Sequence, residues 1–370
     1  MIISAGGTGG HLYPAIATAD ALASLDKKTE ILFITGASAL ERELVAKAGY
    51  AVKTLDVPGL RRKLSSDLVA AVYKAGRGLA KATDLVKNFG ADAVAGFGGA
   101  VTYPVVRAAK KLGLPAVIQE QNMLPGLANK YLSRTVDVVA VSWEGAKQAF
   151  SRGANVVVTG NPVRTTGLEA SRSEARAALE LPVDGLVVTV FGGSQGARHI
   201  NEVASASYGR LNSVEGLTLL HLTGTRDYHE TVQAWSREGA PDNVKMLPYL
   251  DGMGQAYRAS DLMVCRAGAS TLAELAVFGT PAILIPYPYA SNDHQTKNAE
   301  VFNRAGAALV IADQDLSPKN LTAGIKELAT DKDRLKSMAR AVKKLGRPEA
   351  AGDLAALILE VANKRKDTVE

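Results

Sequence analysis

The sequence predicts an α/β protein with two domains, each built on a parallel sheet with helices packed against it. The length of 370 residues favours two domains of ordinary size over one. Short apolar runs alternate with helix-like segments along the whole chain, which is the rhythm of parallel sheets. A glycine-rich turn opens each half, at residues 6–11 (GGTGGH) and 192–198 (GGSQGAR). Each half is therefore predicted to carry its own loop at the strand ends.

The predicted strands are the runs rich in Val, Ile and Ala. In the first half they cover residues 2–3, 31–35, 93–97, 116–118, 136–141 and 156–159. In the second half they cover residues 186–191, 217–222, 261–264, 282–285 and 308–311. The segments between them are predicted to form the helices of a parallel α/β fold.

A break in this pattern marks the domain boundary. The turn 160–162 (GNP) follows a predicted strand, and the charged, helix-favouring segment 169–180 leads to the second glycine turn. We therefore predict domains at 1–162 and 163–346. Near the end of the chain the kink signal 346–348 (GRP) precedes apolar residues at helical spacing, namely Leu354, Leu357, Ile358 and Val361. This last helix, about 347–370, is expected to pack back on the first domain.

The composition is that of a globular protein, with 47% hydrophobic residues. No run approaches the roughly 18 apolar residues of a membrane span, and the first residues enter a strand rather than a signal peptide. A cytoplasmic protein is expected. The single cysteine, Cys265, excludes an internal disulfide and any multi-cysteine metal site, and its apolar neighbours predict a buried, unreactive thiol.

Charge is distributed unevenly between the halves. Residues 1–162 contain 19 Lys and Arg against 12 Asp and Glu, and residues 163–370 contain 24 against 25, so +7 and −1 give the net +6. The basic half indicates either an anionic partner, such as an anionic membrane face, or an ordinary solvated surface. Nucleic acid is not expected, because the basic stretches lack interleaved aromatic residues and match no nucleic-acid module.

The first glycine turn is predicted to bind an anion and to carry a base. Between a strand and a helix, free backbone N–H groups and the positive helix end face one point. The turn does not match the dinucleotide fingerprint, because Leu12 stands at the third glycine and Gly36 and Ala37 follow the second strand in place of an acid. His11 lies in the first helical turn, where the dipole favours the neutral imidazole that accepts a proton. A capping or packing histidine is the alternative.

The second half carries a similar cradle. In residues 266–274 (RAGASTLAE), glycine and small hydroxyl residues open a helix, which predicts another anion site. Glu274 lies about one turn into that helix and is either a dipole partner or the acceptor of two ribose hydroxyls. Residues 293–298 (DHQTKN) supply polar groups that could reach a sugar.

Seven motifs in this order resemble the MurG family, the UDP-N-acetylglucosamine transferases that complete the lipid-linked peptidoglycan precursor. They are GGTGGH, GFGG (96–99), EQN (120–122), GNPVR (160–164), GGSQGAR, RAGASTLAE and DHQTKNA (293–299), and the match runs from residue 6 to about 311. The resemblance implies a glycosyltransferase-B fold, with two Rossmann-like domains whose parallel sheets face each other across a cleft. It implies an acceptor domain first, a UDP-sugar domain second, and a last helix that crosses back.

The resemblance also implies roles for matching residues. His11 matches the proposed catalytic base. The positions that would bind UDP-N-acetylglucosamine are Thr8, Gly9, Gly10, Asn122, Arg164, Ser194, Leu250, Ala269, Ser270, Thr271, Leu272, Ala273, Glu274 and Gln295. Within that set the implied contacts are Asn122 to the N-acetylglucosamine, Arg164 and Ser194 to the diphosphate side, the Leu250 backbone to uracil, Glu274 to the ribose and Gln295 to sugar hydroxyls.

Two departures from the family lie in the acceptor half. The family commonly has His before Glu-Gln-Asn, where this chain has Gln119. After GFGG it usually has an aromatic, a small residue and Gly-Pro, where this chain reads AVTYP (100–104). These differences concern contacts with the acceptor and not the choice of donor.

The implied reaction is a single displacement. The 4-hydroxyl of the N-acetylmuramyl-pentapeptide of undecaprenyl-diphosphate-linked lipid I attacks the anomeric carbon of UDP-N-acetylglucosamine, inverts it and releases UDP, which gives lipid II. His11 takes the proton. No cofactor and no metal are expected. Asp313 and Asp315 resemble the acidic pair of metal-dependent transferases, but a solvated loop is predicted there, and the other histidines show no metal-ligand spacing.

The lipid-linked acceptor implies a peripheral protein on the cytoplasmic face of the inner membrane. Residues 61–81 combine an apolar stripe near helical spacing with flanking cations that include Arg61, Arg62 and Lys63, as an interfacial helix does. A core-facing helix explains the stripe equally well. Other cell-wall enzymes are candidate partners.

Other functional classes stay open at this point. Another glycosyltransferase-B enzyme, such as a glycolipid sugar transferase or a UDP-N-acetylglucosamine 2-epimerase, would share the fold, although an epimerase needs no lipid-facing patch. A non-catalytic nucleotide-sugar-binding protein would keep the cleft, and an intact His11 beside the phosphate turn argues against it. A nicotinamide oxidoreductase is disfavoured by the missing third glycine and the missing acid.

Overall fold

The structure, a computed structural model, describes the chain except residues 8, 58–67, 194–195, 212, 240–241 and 370, and except the side chains of 68–75, 291 and 365–369. The chain forms two compact units. Unit 1 comprises Met1–Arg164 and Pro348–Glu370, and unit 2 comprises Thr165–Arg347. The division follows Arg164, whereas the sequence places it after Pro162.

Unit 1 is built on a seven-stranded sheet in which every described pairing is parallel. Its strands are β1 (Ile2–Ser4), β2 (Leu32–Thr35), β3 (Ala51–Thr54), β4 (Val94–Gly96), β5 (Ala116–Glu120), β6 (Val138–Val141) and β7 (Val156–Val158). Their order is β3-β2-β1-β4-β5-β6-β7. The chain therefore runs outward from β1 to β3 and then crosses back to β4, which reverses the strand order between β1 and β4.

Unit 2 repeats this plan with a six-stranded parallel sheet. Its strands are β8 (Leu186–Phe191), β9 (Leu217–Leu222), β10 (Val244–Leu247), β11 (Leu262–Cys265), β12 (Ala282–Leu284) and β13 (Ala308–Val310). The order β10-β9-β8-β11-β12-β13 reverses between β8 and β11. The prediction of an α/β fold with two parallel sheets is confirmed.

Helices connect the strands of both units. In chain order they are α1 (Gly9–Leu25), α2 (Ala39–Lys47), α3 (Leu68–Phe89), α4 (Thr102–Lys111), α5 (Leu127–Leu132), α6 (Arg172–Ala178), α7 (Arg198–Ala206), α8 (Tyr208–Leu211), α9 (Tyr228–Arg237), α10 (Met253–Ala259), α11 (Ala269–Phe278), α12 (His294–Arg304), α13 (Pro318–Thr330), α14 (Lys332–Leu345) and α15 (Ala350–Val369). Short 3₁₀ segments cover Glu144–Ala149, Ser291–Asp293 and Asp313–Asp315. Among the described residues, no helix combines the length and the apolar character that crossing a bilayer requires.

The central strands are buried along nearly their whole length, which is why their continuous apolar runs are easy to recognise. The two strands that the sequence analysis missed, β3 and β10, lie at the outer edges of their sheets. β3 alternates exposed and half-buried residues, and all of β10 is half-buried. Edge strands need fewer apolar residues, so their pattern is weaker.

The last helix belongs to unit 1. α15 packs against α1, and Leu354, Ile358 and Val361 join the same buried cluster as Ile3 and Leu12. The spacing of these apolar residues places them on one face of the helix. This contact closes the core on one side of the first sheet.

A buried ion pair fixes the first helix of unit 2 to its sheet. Asp261 accepts hydrogen bonds through Oδ2 from Nη2 of Arg176, at 2.7 Å, and from the backbone N–H of Val187, at 2.9 Å. The Arg176 side chain is 3% exposed and that of Asp261 13%. A buried charge of this kind is tolerated only with its partner in place.

Candidate active site

Each unit carries two glycine-rich turns beside the point where its strand order reverses. In unit 1 the neighbouring strands β1 and β4 lead into residues 6–11 and 97–99. In unit 2 the neighbours β8 and β11 lead into residues 192–198 and 266–268. Open α/β sheets bind ligands at the carboxyl ends of strands next to such a reversal. Each unit therefore has one candidate ligand site, assembled from turns that are distant in sequence.

The imidazole of His11 is held by the turn that precedes it. α1 begins at Gly9, so His11 lies in the first helical turn, where it is half-buried. Its Nδ1 is 2.7 Å from the carbonyl oxygen of Gly6. A carbonyl oxygen only accepts hydrogen bonds, so we assign the hydrogen to Nδ1. In the neutral ring Nε2 then has the lone pair, which is what a base needs in order to accept a proton.

The second turn of unit 1 packs directly on the first. A Cβ atom on Gly98 would lie 2.8 Å from Cδ2 and Nε2 of His11, and one on Gly99 would lie 2.3 Å from the carbonyl oxygen of Gly6. Both glycines also have positive φ, at 108° and 84°, a region that side chains rarely adopt. The motif GFGG is thus explained by close approach to the histidine turn.

One N–H group of the first turn is occupied by the protein itself. Gly7 donates its backbone N–H to Oε1 of Glu41, at 2.8 Å. Glu41 lies in the first turn of α2 and is only 5% exposed. The expectation of free N–H groups therefore does not hold at Gly7. Thr8 lies outside the described residues, while Gly9 and Gly10 are half-buried at the start of α1.

Glu41 is a residue that the sequence analysis missed. An acid in the first turn of a helix ordinarily predicts a partner for the helix dipole. Nothing in the local pattern indicates that its carboxylate reaches a turn 34 residues away in the chain. The one available signal is the glycine at position 36, where a Cβ atom would lie 2.8 Å from Oε2 of Glu41.

The EQN segment is a loop organised by its own glutamate. Both oxygens of the buried Glu120 are used: Oε1 accepts from the backbone N–H and from Nδ2 of Asn122, and Oε2 accepts from Gly126 and Asn129. Nε2 of Gln121 donates to the carbonyl oxygen of Phe97, at 2.6 Å. Asn122 thus lies at the carboxyl end of β5, tied to the GFGG turn by its neighbour.

The two departures from the family pattern point mostly inward. Gln119 is 1% exposed, and its Nε2 donates to Oγ of Ser142, at 3.2 Å. Val101 and Thr102 are also buried, and Thr102 donates to the carbonyl oxygen of Gly98. Tyr103 is the exposed member, at 38%. Tyr103, and to a lesser extent the half-buried Ala100, are the departures with a surface that an acceptor could contact.

Arg164 lies away from the histidine turn of its unit. Its guanidinium forms an ion pair with Asp20, at 3.5 Å, and both side chains are nearly half exposed. Asp20 also accepts a hydrogen bond from the hydroxyl of Tyr50, at 2.7 Å. Asp20 follows His11 by nine residues on α1, which is about 14 Å along the helix axis. The structure therefore does not bring Arg164 to His11.

In unit 2 the turn after β8 is tightly packed at its far end. Gly196 has a positive φ of 79°, and a Cβ atom there would lie 2.5 Å from the carbonyl oxygen of Thr223. That carbonyl accepts a hydrogen bond from Nδ2 of Asn201, whose Oδ1 accepts from Nε2 of His221. Ser194 lies outside the described residues.

His221 is buried and neutral in this network. Nε1 of Trp235 donates to its Nδ1, at 3.0 Å, so Nε2 carries the hydrogen. Burial lowers the pKa of His221 to about 3. It serves packing and hydrogen bonding at the core of unit 2, not proton transfer.

The second candidate anion-binding site of unit 2, after the turn that follows β8, is the N-terminal end of α11. Gly268 is the residue that precedes the helix, and residues 269–274 form its first turns. The positive end of this helix and the N–H groups of its first turn favour an anion. Leu272 and Ala273 are buried, whereas Ser270, Thr271 and Glu274 are half-buried.

Glu274 has an altered acidity. Desolvation by burial raises the pKa of Glu274 to about 7, although the hydrogen bond from Tyr257 acts to lower it. That bond joins the Tyr257 hydroxyl to Oε2 at 2.6 Å. A carboxylate with one oxygen held by Tyr257 leaves the other to accept hydroxyl groups of a ligand.

Gln295 and Leu250 lie in two loops of unit 2. Oε1 of Gln295 accepts from the backbone N–H groups of Ala267, at 3.2 Å, and Tyr287, at 2.9 Å. These bonds join the DHQTKNA segment to the turn before α11, and they orient the amide NH₂ of Gln295. Leu250 is half-buried in the loop between β10 and α10.

The acidic segment at the end of unit 2 is only in part the solvated loop that the sequence predicts, since Asp315 is exposed and Asp313 is not. Asp313 is 17% exposed, and its carboxylate forms an ion pair with Arg266 and lies 3.3 Å from Nδ1 of His199. The same guanidinium lies over the ring of Tyr287. Among the described residues, no group of three or more His, Cys, Asp or Glu side chains is placed to hold a metal ion. Cys265 is buried, which raises the pKa of its thiol.

Two family models match the chain. The glycosyltransferase family 28 N-terminal domain matches residues 1–141, and the glycosyltransferase family 28 C-terminal domain matches residues 187–354. Together they span most of both units.

Similar proteins extend over nearly the whole chain. A protein of Desulforamulus reducens is 42% identical over 95% of this chain and 96% of its own length, and one of Halothermothrix orenii is 42% identical over 98% and 99%. Both are named UDP-N-acetylglucosamine--N-acetylmuramyl-(pentapeptide) pyrophosphoryl-undecaprenol N-acetylglucosamine transferase.

Solved structures show the same fold. The crystal structure of Acinetobacter baumannii MurG superimposes with a TM-score of 0.77 at 30% identity, over 97% of this chain and 99% of that one. UDP-GlcNAc 2-epimerase from Neisseria meningitidis superimposes with a TM-score of 0.68 at 14% identity, over 97% and 99%. The second likeness concerns the fold alone.

Proposed function

The chain belongs to glycosyltransferase family 28, and on that premise we propose that it transfers N-acetylglucosamine from UDP-N-acetylglucosamine to lipid I. The acceptor group is the 4-hydroxyl of the N-acetylmuramyl-pentapeptide on undecaprenyl diphosphate, and the product is lipid II for peptidoglycan synthesis. The observation that carries this proposal is the 42% identity to transferases of that name over almost the full length.

Unit 2 is proposed as the donor domain. The N-terminal end of α11 supplies N–H groups and a positive dipole for the diphosphate. The free oxygen of Glu274 accepts the ribose hydroxyls, since the other oxygen is held by Tyr257. The oriented amide of Gln295 donates to sugar hydroxyls, and the backbone at Leu250 contacts the uracil and recognises it. Ser194 is proposed to contact the diphosphate.

Unit 1 is proposed as the acceptor domain, with His11 as the catalytic base. The acceptor hydroxyl gives its proton to Nε2 of His11 as its oxygen attacks the anomeric carbon on the face opposite UDP. The hydrogen bond from Nδ1 to Gly6 places the hydrogen of the neutral ring on Nδ1, which leaves the lone pair on Nε2, and it stabilises the imidazolium that forms in the reaction. Thr8, Gly9 and Gly10 are proposed to lie near the donor sugar and its phosphates, and Asn122 is proposed to contact the N-acetylglucosamine.

The departing diphosphate needs stabilisation that aimed backbone dipoles can supply. Positioned N–H groups at a helix end act on the charge as it develops and cost no reorganisation. Arg164 remains a proposed contribution to this charge, and it would have to leave Asp20 to make it. The chemistry so described uses no cofactor.

The lipid acceptor places the proposed reaction at the cytoplasmic face of the cell membrane. The enzyme would bind there as a peripheral protein through the basic and apolar segment 61–81. Residues 61–67 of that segment lie outside the described residues, and so do the side chains of 68–75. The following part of α3 packs inward, with Ala82 and Val86 buried.

A UDP-N-acetylglucosamine 2-epimerase is the second candidate, since such an epimerase shares the fold. Purified protein is incubated with labelled UDP-N-acetylglucosamine, with and without the undecaprenyl-linked muramyl acceptor. Lipid-linked product that forms only with acceptor is the expected result. Interconversion of the nucleotide sugar without acceptor would support the epimerase instead, and no conversion in either arm would leave a binding protein.

The same assay tests the base. His11→Ala is expected to lower kcat by about 10²- to 10⁴-fold, because it removes a general base. The KM for the donor should change little, since the imidazole is not needed to hold UDP. The matched control is His229→Ala, on α9 of unit 2, which should keep normal turnover. Near-normal turnover of the His11 variant would remove His11 from that role.

A further inference from the structure

We propose that Glu41 acts on His11 through the Gly6–Gly7 peptide group, as a positioning residue that fixes the tautomer of the base and strengthens it. The inference rests on the proposed function, since it concerns how that reaction's base is prepared. Glu41 itself does not touch the reacting atoms. Its carboxylate would do what the aspartate of a catalytic triad does for its histidine, with one peptide group between them.

The three groups form a series. The N–H of Gly7 and the C=O of Gly6 belong to the same peptide group, and in a trans peptide these bonds point in opposite directions. Glu41 Oε1 accepts from that N–H at 2.8 Å, and the carbonyl oxygen accepts from Nδ1 of His11 at 2.7 Å. No cis peptide bond occurs in the described residues. The carboxylate and the imidazole therefore lie on opposite ends of one peptide dipole.

A carboxylate at the N–H end polarises the peptide and makes its oxygen a stronger acceptor, because hydrogen bonds in series reinforce one another. A stronger acceptor favours the tautomer with the hydrogen on Nδ1, which leaves Nε2 as the proton acceptor. It also stabilises the positive imidazolium that forms once Nε2 has taken the acceptor's proton. Both effects act on kcat more than on substrate binding.

The surrounding backbone makes room for this carboxylate. A Cβ atom on Gly36 would lie 2.8 Å from Oε2 of Glu41, and one on Gly6 would lie 3.4 Å from it. Gly7 has a φ of 97°, which turns its N–H toward Glu41 and favours glycine. Three glycines from two turns thus surround one buried side chain.

The environment of Glu41 differs from that of Glu120, the buried carboxylate of the EQN loop. The buried Glu120 uses both of its oxygens as hydrogen-bond acceptors. In the described part of the chain, Oε2 of Glu41 meets no donor, although the residue is 5% exposed. Burying a carboxylate with one unsatisfied oxygen costs stability. Such a cost is typical of groups retained for their effect on a functional site.

The first test reads the tautomer directly and needs no activity. Nitrogen-15 NMR of protein with labelled histidine distinguishes Nδ1–H from Nε2–H rings, and the loss of one signal in His11→Ala assigns His11. His11 should be the Nδ1–H tautomer, whereas the buried His221, which accepts from Trp235 at Nδ1, provides an Nε2–H reference in the same spectrum. An Nε2–H ring at His11 in the wild-type protein would overturn the proposal.

The second test removes the charge and keeps the acceptor. In Glu41→Gln the amide oxygen can still accept from Gly7, so the turn is retained while the polarisation is lost. We expect the His11 signal to move toward a mixture of tautomers, kcat to fall roughly tenfold, and both KM values to stay within about twofold. In the His11→Ala background, Glu41→Gln should cause no further loss, because the two residues act as a unit.

The matched control is Glu43→Gln, which removes an exposed carboxylate from the same helix and should change neither the spectrum nor the turnover. Unchanged kcat in Glu41→Gln, or a fall in kcat without a change in the His11 signal, would overturn the proposal. If thermal melting shows that Glu41→Gln does not fold, the wild-type spectrum decides alone. Failure of the proposed function is separate, since it would appear as a wild-type protein without transferase activity.

Discussion

Donor binding is expected to weaken below neutral pH, because Glu274 must be ionised to accept the ribose hydroxyls. Burial raises the pKa of Glu274 to about 7. One unit below that value roughly a tenth of the carboxyl groups are ionised, and one unit above it roughly nine tenths. If only the carboxylate binds the ribose, the apparent Kd for UDP-N-acetylglucosamine rises about tenfold between pH 8 and pH 6.

The assay is calorimetric titration of the protein with intact UDP-N-acetylglucosamine in the absence of acceptor. The intact donor is used because both of its phosphates are esterified, so it does not itself titrate near neutrality as the terminal phosphate of UDP does. Glu274→Gln should bind the donor more weakly and without this pH dependence. Glu238→Gln, which removes an exposed carboxylate elsewhere in unit 2, should keep the wild-type profile.

Tyr257→Phe gives an independent check on the direction in which donor binding depends on the pKa of Glu274. The hydroxyl of Tyr257 donates to Glu274 and lowers the pKa of that carboxyl. Its removal should therefore move the midpoint of donor binding to higher pH. A wild-type Kd that is constant across this range, or a midpoint that moves to lower pH in Tyr257→Phe, would refute the assignment of Glu274 to the ribose.

The same shift has a consequence for stability. The pKa of Glu274 in the folded protein is above the ordinary value of 4.5 for a glutamate, so the folded state holds the proton more tightly than the unfolded state. The contribution to the free energy of unfolding is thus fully present below about pH 4.5 and is lost as the pH rises to about 7. Urea unfolding of Glu274→Gln should lack this decline.

Two further predictions concern the membrane segment and the core of unit 2. Reversing the three positive charges at residues 61–63 should weaken binding to anionic vesicles about 100-fold, because each cation near the surface contributes roughly 1 kcal/mol or more. Unchanged binding in a co-sedimentation assay would discard the membrane role. Asp261→Ala should lower the free energy of unfolding by about 3–5 kcal/mol, because it leaves the buried guanidinium of Arg176 without its counter-charge and with only backbone carbonyl oxygens, such as that of Val183, as acceptors. The exposed Asp184→Ala is its control, and equal urea midpoints for the two variants would contradict this explanation.

Most of the strands with continuous apolar runs could be recognised from the sequence because they are buried on both faces. Two of the four edge strands, β3 and β10, could not, because residues such as Lys53 and Lys245 interrupt their apolar pattern, whereas the edge strand β7 keeps an unbroken run of valines. The glycine turns were recognisable because they join a strand to a helix within a few residues. His11 was recognisable for the same reason, since its position in the first turn of α1 is local information.

Contacts between distant segments lay beyond the sequence. Asp313 looked like a solvated acid, and its ion pair with Arg266 depends on a residue 47 positions away. The pairing of Arg164 with Asp20 likewise depends on how the end of unit 1 returns to α1. Periodicity and motif spacing describe neighbours along the chain, whereas these partners are neighbours only in the folded unit.

The parallel α/β architecture, the glycine turns and the candidate base could be predicted from the amino-acid sequence, because each follows from local pattern and from the geometry of a strand joined to a helix. The hydrogen-bonding state of that base depends instead on contacts made in the folded unit. The strand order of unit 1 brings the turns after β1, β2 and β4 together, so that Glu41 and Gly98 meet the histidine turn from two sides. Hydrogen-bond direction and burial are properties of that assembly, and they determine which nitrogen of His11 carries the hydrogen.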